Sequence, residues 1–226
     1  FTSVGAQLGS SGQISILDST ASSRTTWRAL AAAIGDKSFG TLQATNGALA
    51  DVELYVNVGA ELSGVGRVSV AGVDAQQQSA SLITTELRVG LKGQGTISVL
   101  NGGHVEAEDV GIGTEQAGLG TVLVDGVHSA SAIPSTVSIA NNLVIGASGG
   151  FGSANFQGLT GRGTLEIKNG GIVEVGNGYI FSSQAGRRNE VIVGGANSDL
   201  IVTNLLILGY TGNLGEAVLT LMGGYV

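Results

Sequence analysis

The sequence predicts an all-β parallel solenoid, a β-helix, on three observations. A short unit of apolar residue, any residue, apolar residue and glycine recurs along the chain. Between its copies, blocks alternate apolar and polar residues. Glycine is abundant, with 39 in 226 residues, while there is a single proline. A coil strand flanked on both sides needs its backbone N–H, so proline is excluded from it, and glycine serves the sharp corners.

The unit reads VNVG at 56–59, LRVG at 87–90, VGIG at 110–113, LVIG at 143–146, VEVG at 173–176, VIVG at 191–194 and LILG at 206–209, with weaker copies ending at Gly5 and Gly35. These nine glycines make eight intervals over the 204 residues from Gly5 to Gly209, about 25 residues each. That period lies in the range of solenoid repeats. At about 4.8 Å per coil, roughly nine coils predict a rod about 40 Å long.

After most of these glycines comes a second block in two flavours. One reads GTLQATNGALA at 40–50, GTISVLNGGHVEA at 95–107 and GTLEIKNGGIVEV at 163–175, with a drifted copy, AVLTLMGGYV, at 217–226. The other reads GQISILDST at 12–20, GRVSVAGVD at 66–74 and GTVLVDGVH at 120–128. The flavours alternate, so the full unit is nearer two turns than one. Within a block, Ile97 and Val99 alternate with Ser98, and Leu165 and Ile167 with Glu166. That period of two belongs to a half-buried strand. Asn-Gly-Gly or Asp-Gly then closes it, because both residue types accept positive φ. The segments 19–33 with Trp27, 75–81 and 149–161 lack the alternation and are expected as longer corner loops. Residues 1–226 form a single β-helix segment, expected to be a fragment of a longer repeat array.

Composition excludes several classes. The chain has no cysteine, which removes disulfide scaffolds, thiolate metal sites and cysteine nucleophiles. A mean hydropathy of +0.33 with 12% charged residues is too apolar for disorder. A net charge of -7 with scattered basic residues argues against a nucleic-acid partner. No apolar stretch is long enough for a transmembrane helix.

The VGxxGxGT start, strand and NGG corner, alternating with a strand and a (D/A)G corner, resemble the glycine-rich passenger-associated repeats of bacterial autotransporters, secreted by the type V route. The resemblance covers nearly the whole chain. It implies a right-handed parallel β-helix exposed at the cell surface of a Gram-negative bacterium or secreted. Contact with the membrane would then come only through a carboxy-terminal barrel that this sequence lacks.

The search for chemistry assigns no catalytic, cofactor-binding or metal residue. His104 occupies the slot of Leu49 and Ile172, and His128 that of Thr20 and Asp74, so neither histidine repeats or gathers ligands. Carboxylates are the better candidates. Glu106 and Glu108 on one strand would share a face roughly 7 Å apart, near the spacing of an inverting glycosidase pair. Asp109 follows them, and Asp51, Glu106 and Glu174 hold equivalent positions, predicting an acidic stripe. The weightier reading of these groups is a solvated face that discourages sheet self-pairing. GGANSDLIV at 194–202 is close to a calcium-binding nonapeptide but occurs once, so it is expected to be a corner before a strand. GFGSANFQG at 150–158 lacks the strand-to-helix context of a phosphate loop. Trp27, Phe39, Phe151, Phe156, Tyr179 and Phe181 are expected to plug coil ends or pack loops.

The function expected is that of a non-enzymatic, surface-displayed or secreted stalk or adhesin module, with no cofactor. Its partners would be a host-surface or matrix ligand, a glycan, or a second copy of itself. The alternatives are a polysaccharide-degrading enzyme using the exposed carboxylates and a self-assembling filament.

Overall fold

The alternating blocks form strands, and the strands stack as like on like. A computed structural model of the chain describes residues 1–18, 23–115, 117–146, 161–182, 187–209 and 215–223. Sixteen strands and no helix occur among them. The odd-numbered strands are β1 (Thr2–Val4), β3 (Thr26–Ile34), β5 (Leu49–Val58), β7 (Ser81–Val89), β9 (His104–Ile112), β11 (Thr136–Ile145), β13 (Ile172–Ile180) and β15 (Asp199–Leu208). The even-numbered ones are β2 (Ser11–Ile16), β4 (Phe39–Thr45), β6 (Val65–Ala71), β8 (Gln94–Leu100), β10 (Leu119–Asp125), β12 (Arg162–Lys168), β14 (Arg188–Gly194) and β16 (Glu216–Met222). Each set makes one eight-stranded sheet in sequence order, and every ladder pair is parallel. This is a parallel β-helix, wound so that the chain visits the two sheets in turn.

The inward residues of the two sheets form one core. In the even sheet, Leu42, Val68, Ile97, Val122, Leu165 and Val191 lie in register and are all buried. Odd strands carry a bend at mid-length. Register slips there between Val52 and Tyr55, between Ile139 and Asn142, and between Val175 and Asn177. Extra residues at the bend, such as Glu53 and Leu54, point outward and let the strand turn a corner while its two halves keep feeding the core.

Both block flavours prove to be even strands, on alternate coils. β4, β8 and β12 end in the tight corner, with Asn46, Asn101 and Asn169 and the glycine after each at positive φ. β6 and β10 end in projecting loops closed by the antiparallel bridges Val73 to Ser79 and Val127 to Pro134. The loops explain the two-coil period, because they lie over the tight corners of their neighbours. A Cβ on Gly47 would stand 2.5 Å from Asp74 Oδ2, one on Gly102 would stand 2.6 Å from Val73 Cγ2, and one on Gly170 would stand 3.0 Å from Val127 Cγ1. Polar ties reinforce the stack. Asn46 Nδ2 donates to Asp18 Oδ1 at 2.6 Å and Asn169 Nδ2 to Asp125 Oδ1 at 2.8 Å. Arg24 donates to Gly47 O, Ser79 O and Ser81 Oγ, crossing two corners. Burial holds the pKa of its guanidinium below the ordinary value, with Asp74 pulling the other way.

Three expectations need correction. The stack holds eight coils among the described residues rather than nine. Two of the nine glycines belong elsewhere: Gly176 sits at the bend inside β13, and Gly194 ends an even strand. The remaining corner glycines, with Phe181 in the slot after Ile180, give seven intervals and an average of about 29 residues. Coils free of long loops match the expected length, with 24 residues from Ile34 to Val58 and 23 from Val89 to Ile112. Most of 19–33 is strand, not loop, since β3 begins at Thr26. Its alternation is hidden by the bend and by three consecutive buried alanines, Ala31, Ala32 and Ala33. The loop at 75–81 stands, although Ser81 already begins β7; that at 149–161 lies, but for Gly161, outside the described residues.

Trp27 closes the amino-terminal end of the core. It pairs with Ala50, and its column continues through Leu82, Val105, Val137 and Val173, all inward and buried. Because β1 covers only Ala32 to Ile34, the indole fills the inward space over an otherwise open half-coil. Trp27→Ala should cost about 2 kcal/mol, less than for a fully buried tryptophan. The loss should be local, with amide exchange accelerated in β1 to β3 and unchanged in β9 to β13.

Candidate functional site

A depression of about 430 Å³ runs along the outside of the odd sheet at its bend. Its floor is backbone, because Val52, Thr84, Ala107, Ile139 and Val175 turn their side chains into the core. Asp51, Glu53, Glu106, Glu108 and Glu174 line it, together with Thr85, Ser138 and Thr203. The expected carboxylate set is therefore brought to one groove. Asp109 departs from it. It lies beyond the bend, where its Oδ1 accepts hydrogen bonds from the Asn142 backbone N–H at 3.2 Å and from Asn142 Nδ2 at 2.8 Å.

The expected stripe is interrupted. The register column runs Arg28, Asp51, Ile83, Glu106, Ser138, Glu174, Ile201. Carboxylates occupy alternate coils, about 10 Å apart at twice the strand spacing. Partners also differ along it: Asp51 Oδ2 is ion-paired with Arg28 Nε at 3.2 Å, and Glu106 Oε2 lies 3.7 Å from His104 Nε2. Among the described residues, Glu53, Glu108 and Glu174 make no ion pair. The groove is an open, solvated channel with no aromatic lining residue among those described. A sugar would find hydrogen-bond acceptors there but no stacking platform.

The other candidates fall into structural places. His104 Nδ1 lies 2.7 Å from Thr136 Oγ1 on the next coil, and His128 Nδ1 lies 2.8 Å from Ser131 Oγ within its own loop. Among the described residues, no group of three potential metal ligands gathers. The nonapeptide at 194–202 is a corner into β15, where buried Ser198 donates to Gly194 O at 2.8 Å and accepts from Gly170 N–H at 3.1 Å. Ser135 has the same role at the end of the loop that follows β10, donating to Asp125 O and accepting from Gly102 N–H. Phe39 lies under the Arg67 guanidinium at 5.6 Å, and Tyr179 stacks on Phe181 with centroids 6.0 Å apart. Phe151, Phe156 and the 150–158 glycines lie outside the described residues.

The residues that sequence reasoning missed are the second rim of the groove, Glu53 and Thr85. The signal was present in the offset of two residues from Asp51 and Ile83, but the bend that turns two columns into a channel leaves no composition mark. The fold and groove thus define a class, the parallel β-helix with a shallow acidic channel along one face. Compared with known proteins, the chain matches no family model, no curated protein and no solved structure.

Proposed function

We propose that the chain is a non-enzymatic β-helical stalk or adhesin module, displayed on a bacterial surface or secreted in the manner of an autotransporter passenger, mediating adhesion or cell-to-cell contact. The observation that supports this reading is the outer surface. It offers long columns of repeated side chains and one open channel, a geometry suited to many shallow contacts with an extended glycan or matrix chain. Cysteine-free composition is compatible with crossing a periplasm unfolded.

Beads coated with the 226-residue chain should bind immobilised matrix proteins or glycans and release no soluble product from them. Loss of binding on Glu53→Gln with Glu108→Gln would assign contact to the channel. No binding to any such surface would overturn the adhesin reading. The parent reading frame tests the location: an amino-terminal secretion signal with a carboxy-terminal barrel is expected, and a cytoplasmic protein would sink it.

The carboxylate channel favours one second reading, a polysaccharide-degrading enzyme. Saturable release of reducing ends or unsaturated sugars, abolished by Glu106→Gln or Glu108→Gln, would establish it in place of the first.

A further inference from the structure

The tight corners that close β4, β8 and β12 hold the same dipeptide in the same conformation. Asn46, Asn101 and Asn169 have φ of +49°, +51° and +52°, and Gly47, Gly102 and Gly170 have φ of +80°, +83° and +85°. Each asparagine is exposed and each glycine buried. The fourth Asn-Gly pair, Asn177 and Gly178, lies inside β13 rather than in a corner.

Asn-Gly is the dipeptide in which the backbone most readily attacks its own side chain. The glycine nitrogen gives up its proton to solvent and adds to the asparagine Cγ, with no glycine Cβ to obstruct the ring closure. The bond from Cγ to Nδ2 breaks, the nitrogen leaves as ammonia, and a cyclic imide remains. Water then opens either imide carbonyl, leaving aspartate or isoaspartate. The reaction therefore needs a glycine N–H that nothing else holds.

Two of the corners do hold it. Gly102 N–H donates to Ser135 Oγ and Gly170 N–H to Ser198 Oγ, each at 3.1 Å, and both serines are fully buried on the following coil. The corner at Gly47 lacks this hydroxyl. Ser81, His104, Thr136, Ile172 and Asp199 form one register column, so Ala80, Ser135 and Ser198, each one residue earlier, occupy one slot. Backbone geometry matches there: Ala80 N–H donates to Gly72 O at 2.8 Å, as Ser135 N–H donates to Gly126 O at 2.9 Å. Alanine simply has no acceptor to offer. Among the described residues, Gly47 N–H has no hydrogen-bond partner.

Other contacts do not set Asn46 apart. Its Nδ2 is tied to Asp18 as Asn169 Nδ2 is tied to Asp125. Arg24 Nε donates to Gly47 O at 2.7 Å while Asp74 Oδ2 stands over Gly47, so a cation and a carboxylate offset each other around that peptide.

We propose that Asn46 is a site of spontaneous modification, converting through the imide to aspartate and isoaspartate in the folded protein, while Ser135 and Ser198 protect Asn101 and Asn169. The change alters the corner. A carboxylate at residue 46 faces Asp18 in place of the amide that donates to it, setting like charges together. Isoaspartate also adds a methylene to the main chain of a corner that Arg24 ties to Ser79 and Ser81. Modification thus loosens the first coils as the chain ages.

The test incubates the folded 226-residue chain in mildly alkaline buffer and follows each asparagine by peptide mass spectrometry. Asn46 should convert at least about tenfold faster than Asn101 or Asn169, since releasing a buried N–H from its acceptor is costly. In urea, where the three sites share only their dipeptide, the rates should converge. Ser135→Ala should raise the rate at Asn101 about tenfold and leave Asn169 unchanged, which also shows that the variant stays folded. Ala80→Ser should slow Asn46 toward the other two. Equal rates at the three corners of the folded chain would overturn the proposal. So would a rate at Asn101 that ignores the loss of the Ser135 hydroxyl.

Discussion

Gly95→Ala should remove most of the folding stability of the chain, a loss above about 4 kcal/mol, whereas Gly209→Ala should cost only about 1 to 2 kcal/mol. The two glycines separate the reasons a solenoid keeps this residue. Gly95 pairs with Gly66 on one side and Gly120 on the other, in a column that also holds Gly12, Gly40 and Gly163. Its backbone is ordinary strand, so alanine carries no conformational penalty there. The obstacle is space. A Cβ would lie closer than 3.0 Å to Gly90 N and Val58 O, backbone atoms that are both hydrogen-bonded between coils. Making room means parting β8 from the neighbouring corner along the whole turn, and close-packed interiors do not yield that distance cheaply.

Gly209 is the opposite case. It has a φ of +76 and nothing within 4 Å of the position a Cβ would take. The cost is then the left-handed backbone alone. Asparagine tolerates that region, so Gly209→Asn should be close to neutral. Urea unfolding followed by circular dichroism reads all three. Equal losses for Gly95→Ala and Gly209→Ala would show that backbone conformation, not contact between coils, sets the requirement.

The same distinction explains what the sequence could disclose. Glycine columns and period-two blocks are local, repeated signals, and they carried the parallel solenoid, the strands of the even sheet and the alternation of two corner types. The reason for that alternation was not legible. It depends on Val73 and Asp74 of one coil lying over Gly102 and Gly47 of its neighbours, a contact between coils that no single repeat contains. Gly176 misled for a related reason. VEVG has the composition of a corner, yet Gly176 is the residue at a bend, where Ala140 O and Asn141 O crowd it. Only the register with β11 tells the two apart. Likewise, Asp51, Glu106 and Glu174 were legible as equivalent positions, but Ile83 and Ser138 between them were not. The intervening coils had no recognisable marker at that slot.

The coil containing β13 and β14 breaks the glycine rules, and Asn189 is what replaces them. It takes the slot that follows Gly163 in the column, while Phe181 takes the corner slot held by Gly146 one coil earlier. Asn189 is fully buried. Its Oδ1 accepts from Gly163 N–H at 2.6 Å, and its Nδ2 donates to Phe181 O at 2.6 Å. One side chain thus satisfies the backbone groups of a corner and a strand that glycine pairs satisfy elsewhere. Asn189→Ala should therefore cost about 2 to 4 kcal/mol, because two hydrogen bonds made by a fully buried side chain are lost together. Asn189→Gly restores the column residue but not the hydrogen bonds, so it should be no better. If glycine rescued stability, the asparagine would be a filler and the column itself the determinant. Asn189→Asp distinguishes the two bonds. The carboxylate keeps the acceptor and loses the donor, and burial raises its pKa above the usual carboxylate range near 4. Protonated, it can donate to Phe181 O again. The stability of this variant relative to the parent should thus be highest below the unfolded-state pKa and fall as pH rises through the folded one. A difference that stayed flat from pH 3 to pH 8 would mean that the Phe181 carbonyl finds another partner, and that the corner does not rely on Asn189.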